Sequence, residues 1–193
     1  MFTLKNIDNL KTQFPDKKLS FVHIPKCGGS YVKNILKNLN IRTNPKHLRA
    51  SNKDFINFGI IRHPVDRFES FLNFRLSLPT PFGDWPKRLR FVHFKKRITL
   101  NQIVNRMTNK EMLSFRPYHT LNYFTQNLDV LITIEQLPEF LKSFGYEYNS
   151  SQYKKVNVSP KLRGKLNLRN RRRIERVFQK DMELYEKFMK NLM

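Results

Sequence analysis

A chain of 193 residues that is 39% hydrophobic and 13% aromatic, with 17 Phe, carries enough apolar material for one compact domain spanning residues 1–193; a wholly disordered chain is excluded. Its 37 Lys and Arg stand against 15 Asp and Glu, a formal charge of +22, which predicts attraction to polyanions: nucleic acid, anionic lipid, charged glycans or nucleotides. Cys27 is the sole cysteine, so no intrachain disulfide can form and a reducing compartment is expected. The opening Met1–Phe14 lacks an apolar core of signal-peptide length. No run approaches the roughly 18 apolar residues of a membrane span, and a soluble, cytoplasmic chain without an anchor is the expectation.

In chain order, Leu19–Ile24 is short, β-rich and bounded by charges and Pro25, and predicts a strand. Tyr31, Val32, Ile35, Leu36 and Leu39 then recur at helical spacing over Ser30–Asn40. Asp54–Ile61 reads as a second, buried strand. Pro64 suits the first position of the helix after it, Asp66 suits its first turn, and Val65, Phe68, Phe71 and Leu72 form its apolar face. Residues 77–97, rich in Pro and basic groups, predict an irregular excursion. Short helical pieces follow over Asn101–Met107 and Lys110–Phe115, a third strand over Asp129–Ile134, and a short helix over Pro138–Phe144. A single last helix is predicted from Asn170 to Leu192, with Ile174, Val177, Phe178, Tyr185, Phe188 and Met189 inward. Strands alternating with helices predict an α/β three-layer sandwich on a mostly parallel sheet, with ligands beyond the carboxyl ends of the strands.

Pro25-Lys-Cys-Gly-Gly-Ser30 joins the first strand to the first helix. Gly28 and Gly29 let backbone N–H groups approach an anion, the helix N-terminus adds its positive end, Lys26 supplies a charge and Ser30 a hydroxyl. The turn is not the triphosphate-binding loop G-x-x-x-x-G-K-[ST], because Lys26 precedes the glycine pair. A plain glycine turn with Lys26 solvated is the alternative.

Phe21-Val-His-Ile-Pro-Lys-Cys-Gly-Gly-Ser-Tyr31 strongly resembles the 5′-phosphosulfate loop HIPKTGGTS of the carbohydrate sulfotransferases, of sulfotransferase family 2 and heparan-sulfate type. Gly59-Ile-Ile-Arg-His-Pro-Val-Asp-Arg-Phe-Glu-Ser70 resembles their 3′-phosphate motif R-[DH]-P-x-x-R-x-x-S. Two motifs in the right order, each at a strand-to-helix junction, are far more specific than either alone. Weaker likeness continues through Asp129–Leu137, Asn157–Ser159 and the last helix around Asp181, so the resemblance spans roughly residues 19 to 190.

The resemblance implies a P-loop-like sulfotransferase fold and a donor, 3′-phosphoadenosine 5′-phosphosulfate (PAPS). It would be held at Lys26, Cys27, Gly28, Gly29, Ser30 and Tyr31, and at Arg62 and Ser70. Six helical steps from Pro64 to Ser70 rise about 9 Å, so Arg62 and Ser70 can share one phosphate only if the first helical turns run alongside it. Arg67 reads equally as a motif residue or a structural ion-pair partner, and Asp66 as a first-turn charge. Cys27 stands where the family usually has Thr or Ser. A thiol beside Lys26 at a helix N-terminus is expected to have a lowered pKa, so that alkylation blocks donor binding and PAPS protects.

Sulfuryl transfer requires in-line positioning, a stabilised leaving phosphate and a base for the acceptor hydroxyl. Lys26 is assigned to the charge on the bridging oxygen. Of the five His, His23 lies in the first strand, His63 reads as motif scaffold, and His93 and His119 fall in less ordered segments. His47, in Pro45–Ser51 between the two motifs, is the chosen base, as the resemblance implies; Glu135 is the rival. With no HExxH and no Cys/His cluster of ligand spacing, no metal is expected.

Lys87, Arg88, Arg90, Lys95, Lys96 and Arg97 surround Phe91 and Phe94, and residues 161–180 hold nine Lys and Arg against Glu175 alone. These clusters read as a groove for an anionic glycan or the donor phosphates, or as solvated faces; Lys154 and Lys155 could reach the donor. The acceptor, an anionic or neutral glycan, is a carbohydrate by resemblance. A basic nucleic-acid-binding protein is the second reading, although no helix-turn-helix, zinc-finger or RNP pattern is present and nucleic acid is not expected; a P-loop nucleotide kinase is the third.

Overall fold

The structure, a computed structural model, describes residues 8, 12, 14–44, 50, 53–78, 98–114, 120–147 and 164–191. The chosen base His47, the basic stretch 87–97, His93, His119, Lys154, Lys155, Asn157–Ser159 and residues 161–163 lie outside the described residues.

Strand β1 (Lys18–Val22) leads through the glycine turn into helix α1 (Gly29–Asn38) and a two-residue edge strand β2 (Arg42–Thr43). Strand β3 (Phe55–Ile60) is followed by α2 (Pro64–Ser77), then by short helices α3 (Leu100–Arg106), α4 (Asn109–Ser114) and α5 (Leu121–Thr125). Strand β4 (Val130–Ile132) precedes α6 (Leu137–Ser143), and α7 (Leu168–Val177) and α8 (Gln179–Lys190) end the fold. The four strands form one all-parallel sheet in the order β2-β1-β3-β4 with helices on both sides. This is the predicted α/β class, consistent with a sulfotransferase-like fold.

The register explains the strand sequences. Phe21 of β1 pairs with Phe58 of β3, which pairs with Val130 of β4, and all three are buried. A parallel sheet covered on both faces needs such near-continuous apolar runs. The Phe21 and Phe58 rings lie 5.3 Å apart, and Phe140 of α6 sits 4.8 Å from Phe58. Asp129 is used at the amino edge of β4: its Oδ2 accepts from the Asn57 N–H at 2.8 Å and its own N–H donates to the Asn57 carbonyl at 2.8 Å. It stands at the opposite end of the strands from the glycine turn.

A second cluster packs α2 residues Val65, Phe68, Phe71 and Leu72 against α3, α4 and Ile174 and Phe178. Its short helices are fixed at their starts by reciprocal capping. Thr99 and Gln102 exchange bonds before α3, as do Thr108 and Glu111 before α4. The predicted single last helix is two, broken at Phe178 (φ −103°, ψ 32°). The two pieces serve different cores: Ile174 and Phe178 belong to the second cluster, whereas Leu184, Tyr185, Phe188 and Met189 pack on the sheet core. Among the described residues no helix is long and apolar enough to cross a membrane.

Candidate functional site

The carboxyl ends of β1 and β3 are neighbours because their strands pair in parallel, so the glycine turn and Arg62 emerge on one edge. Arg62 is exposed, and its Nη1 donates to the Lys26 carbonyl at 3.5 Å. Lys26 itself takes a left-handed conformation, φ 65°, which is costly without glycine. Gly28 does the same at φ 85° and forms the N-cap of α1. No side chain caps α1 and no acidic residue occupies its first turn. The first intrahelical bond runs from the Val32 N–H to the Gly28 carbonyl, so the amides of Gly28, Gly29 and Ser30 precede the ladder and point out of the helix end. An exposed, uncapped helix end with a flanking Lys and Arg is electrostatically favourable for a negative charge.

Gly29 has a separate reason to be glycine. A Cβ there would sit 1.9 Å from Cδ2 and 2.1 Å from Nε2 of buried His23. The imidazole therefore fills the space beneath the turn, and only a bare backbone fits above it. On the other side, a Cβ on Gly28 would lie 3.5 Å from Ile134 Cδ1. That contact brings the exit of β4, and hence exposed Glu135, beside the turn.

Helix α2 runs along the turn. Arg67 Nε donates to the Pro25 carbonyl at 3.0 Å, and the Lys26 ammonium lies 4.0 Å from the Phe74 ring centroid. Positions 67, 70 and 74 share one helical face, so half-buried Ser70 stands between these two contacts. The structure thus brings Lys26, Gly28, Gly29, Ser30, Arg62 and Ser70 to one edge, with Tyr31 half-buried in the first turn of α1. Phe74 was missed in the sequence; its i+4 spacing from Ser70 was the available signal. His63 is scaffold as read: its Nδ1 accepts from the Val65 N–H at 3.3 Å, capping α2, and its ring meets Tyr185 edge-on at 5.2 Å. Tyr185 is pushed above its ordinary pKa by burial and by the nearby carboxylates of Asp66 and Glu135.

Cys27 departs from its expected chemistry. The thiol is buried, its Sγ donates to the Pro25 carbonyl at 3.8 Å, and its N–H donates to the Ile24 carbonyl at 3.4 Å. Burial outweighs the lowering effect of Arg67 and Arg62 and pushes the pKa up to about 11. The lowered pKa and ready alkylation expected of a helix-terminal thiol are corrected accordingly: desolvation defeats the nearby charges.

Arg67 is an internal ion-pair residue. It is fully buried, and its Nη1 lies 3.4 Å from Oδ2 of buried Asp181 in α8. Asp181 Oδ1 accepts from the Leu121 N–H at 2.8 Å. Burial raises the Asp181 carboxyl above its ordinary value, while Arg67 and that amide pull it back.

Two arginines of the basic 161–180 run are also used internally. Arg171 reaches Asp66 at 3.0 Å and Glu69 at 3.9 Å. Arg173 donates to the carbonyls of Val104 and Met107 at the end of α3 and to Asn109 Oδ1. Of the 161–180 cluster, read as a ligand groove or a solvated face, Arg171 is thus tied to carboxylates of α2 and Arg173 to the end of α3. Arg169, Arg172 and Arg176 remain exposed. A separate open groove of about 690 Å³, lined by Arg172, Glu175, Arg176, Gln179, Met182, Glu183 and Glu186, lies along α7 and α8.

A model described as the sulfotransferase family matches residues 12–116, more than half of the chain and both motif turns. No curated protein and no solved structure matches it.

Proposed function

This chain belongs to the sulfotransferase family, and from that premise we propose that it transfers a sulfuryl group from PAPS to a hydroxyl of a carbohydrate. The observation that carries the reading is the shared edge: Arg62 donates to the carbonyl of Lys26, so one edge offers a basic group for each phosphate of a bisphosphorylated nucleotide. The turn suits the donor's 5′ end, with glycine at 29 because the His23 ring leaves no room for a Cβ and at 28 because the backbone is left-handed. Arg62 and Ser70 suit the 3′-phosphate.

PAPS supplies an activated sulfuryl group on a good leaving phosphate. The amides of Gly28 to Ser30 orient the 5′ end, and Lys26 stabilises charge on the oxygen that bridged phosphorus and sulfur. The acceptor oxygen forms a bond to sulfur as the bridging S–O bond breaks, and its proton passes to a base. Such positioning and electrostatic help is the main contribution a protein can make to a transfer of this kind. The base is His47, assigned by the family resemblance. Glu135 is the second reading, favoured by its place after Ile134 beside Gly28. The carbohydrate acceptor is supported by the resemblance, the charge of +22 and exposed Arg169, Arg172 and Arg176.

Calorimetric titration with adenosine 3′,5′-bisphosphate tests the donor. Magnesium-independent binding that weakens at least about tenfold in Lys26→Ala and Arg62→Ala is expected, as for loss of a charge-assisted contact. Absence of binding, or binding by both variants as tight as by the wild type, contradicts the reading. Transfer from sulfur-labelled PAPS to a panel of glycans tests the acceptor. His47→Ala and Glu135→Gln then identify the base: the true one lowers kcat about 10²–10⁴-fold and removes the acidic limb of the pH profile.

A further inference from the structure

The donor turn contains a conformation that its own residues do not favour. Lys26 sits at φ 65° without being glycine, and such a residue persists only where its surroundings hold it. Two guanidinium groups do so. Arg62 donates to the carbonyl of Lys26 itself, and Arg67 Nε donates at 3.0 Å to the carbonyl just before it, that of Pro25. Arg62 is exposed, but Arg67 is fully buried, and its remaining charge must be answered inside the protein. The answering group is Asp181, 114 positions later on α8, whose other oxygen accepts from the Leu121 amide at the start of α5. Asp181 lies outside the residues 12–116 that match the family.

We propose that Arg67 and Asp181 are a positioning pair that couples the donor turn to the C-terminal helix α8, so that the turn keeps its anion-binding shape only while α8 is docked. Neither residue touches the reacting atoms. Arg67 acts by aiming the Pro25 carbonyl and so fixing Lys26. Asp181 acts by keeping Arg67 aimed. Because coupling is reciprocal, a ligand in the turn also strengthens the docking of α8. The coupling rests on the donor reading only for the identity of that ligand.

Cys27, the sole cysteine, is a built-in reporter, because it lies in the turn and is buried there. Asp181→Asn and Arg67→Lys each perturb one partner. The double variant Arg67→Met/Asp181→Leu removes both charges together, which proteins tolerate far better than a lone buried charge, and so separates loss of the link from loss of the fold. In the double variant the far-ultraviolet spectrum and thermal midpoint are expected to stay near wild type. Its Cys27 labelling by a maleimide should accelerate about tenfold or more, and its affinity for adenosine 3′,5′-bisphosphate should fall by a similar factor, as for loss of one charge-assisted hydrogen bond. In the wild type the bisphosphate should slow amide exchange in residues 181–190, and in the double variant it should not.

A folded double variant with wild-type labelling and wild-type nucleotide affinity overturns the coupling. So does equal exchange of α8 with and without bound nucleotide. Faster labelling in a protein whose wild type binds no bisphosphate supports the coupling and overturns the donor reading instead.

Discussion

At Gly29 the missing β-carbon is replaced by the ring of His23, and this overlap gives a direct test. Gly29→Ala should lower stability by about 1–3 kcal/mol, the usual cost of overpacking, and weaken bisphosphate binding. His23→Ala in the same chain should recover part of both, read from urea midpoints and titration. Cys27 gives a second. With its pKa raised from 9.0 to about 11, it stays protonated in the folded state while the unfolded state ionises. Its contribution is therefore intact below pH 9 and fades as pH rises from 9 to 11, by up to about 1.4 kcal/mol per unit. Cys27→Ala should flatten that part of the stability curve, and native Cys27 should react slowly with iodoacetamide at pH 8. The sequence spacing placed Cys27 at a helix end but gave no measure of burial. Desolvation comes from the core cluster that Cys27 joins, assembled from distant elements, which no local pattern reveals.

At the scale of elements, the strands and the two motif helices could be read because a covered parallel sheet demands continuous apolar runs, and because Pro64 and the glycine pair mark helix starts. Edge strand β2 has two residues and α5 five, too short for any period to register. The break at Phe178 escaped notice because helical spacing continues through it and no Gly or Pro marks it, while the residues before and after it pack into different cores. Arg67 and Asp181 were each visible, but their partnership spans 114 positions. Helix α7 yields its own prediction. Arg173→Ala should cost about 2–3 kcal/mol, because it removes charged donors from the carbonyls that end α3. Exposed Arg172→Ala should change stability by less than about 0.5 kcal/mol. Chemical denaturation of the two variants in parallel distinguishes an internal tie from a surface charge.

For the whole molecule, the parallel pairing of β1 with β3 is what brings two separate sequence motifs to one edge. The surplus of positive charge then favours approach of anionic ligands from a distance, an effect that salt weakens. The account depends on a nucleotide lying between the turn and Arg62, and a crystal structure with adenosine 3′,5′-bisphosphate tests that most directly. The 5′-phosphate is predicted on the amides of Gly28, Gly29 and Ser30 near Lys26, and the 3′-phosphate on Arg62 and Ser70. A nucleotide found instead in the groove along α7 and α8, on Arg172 and Arg176, with the glycine turn left untouched, would contradict it.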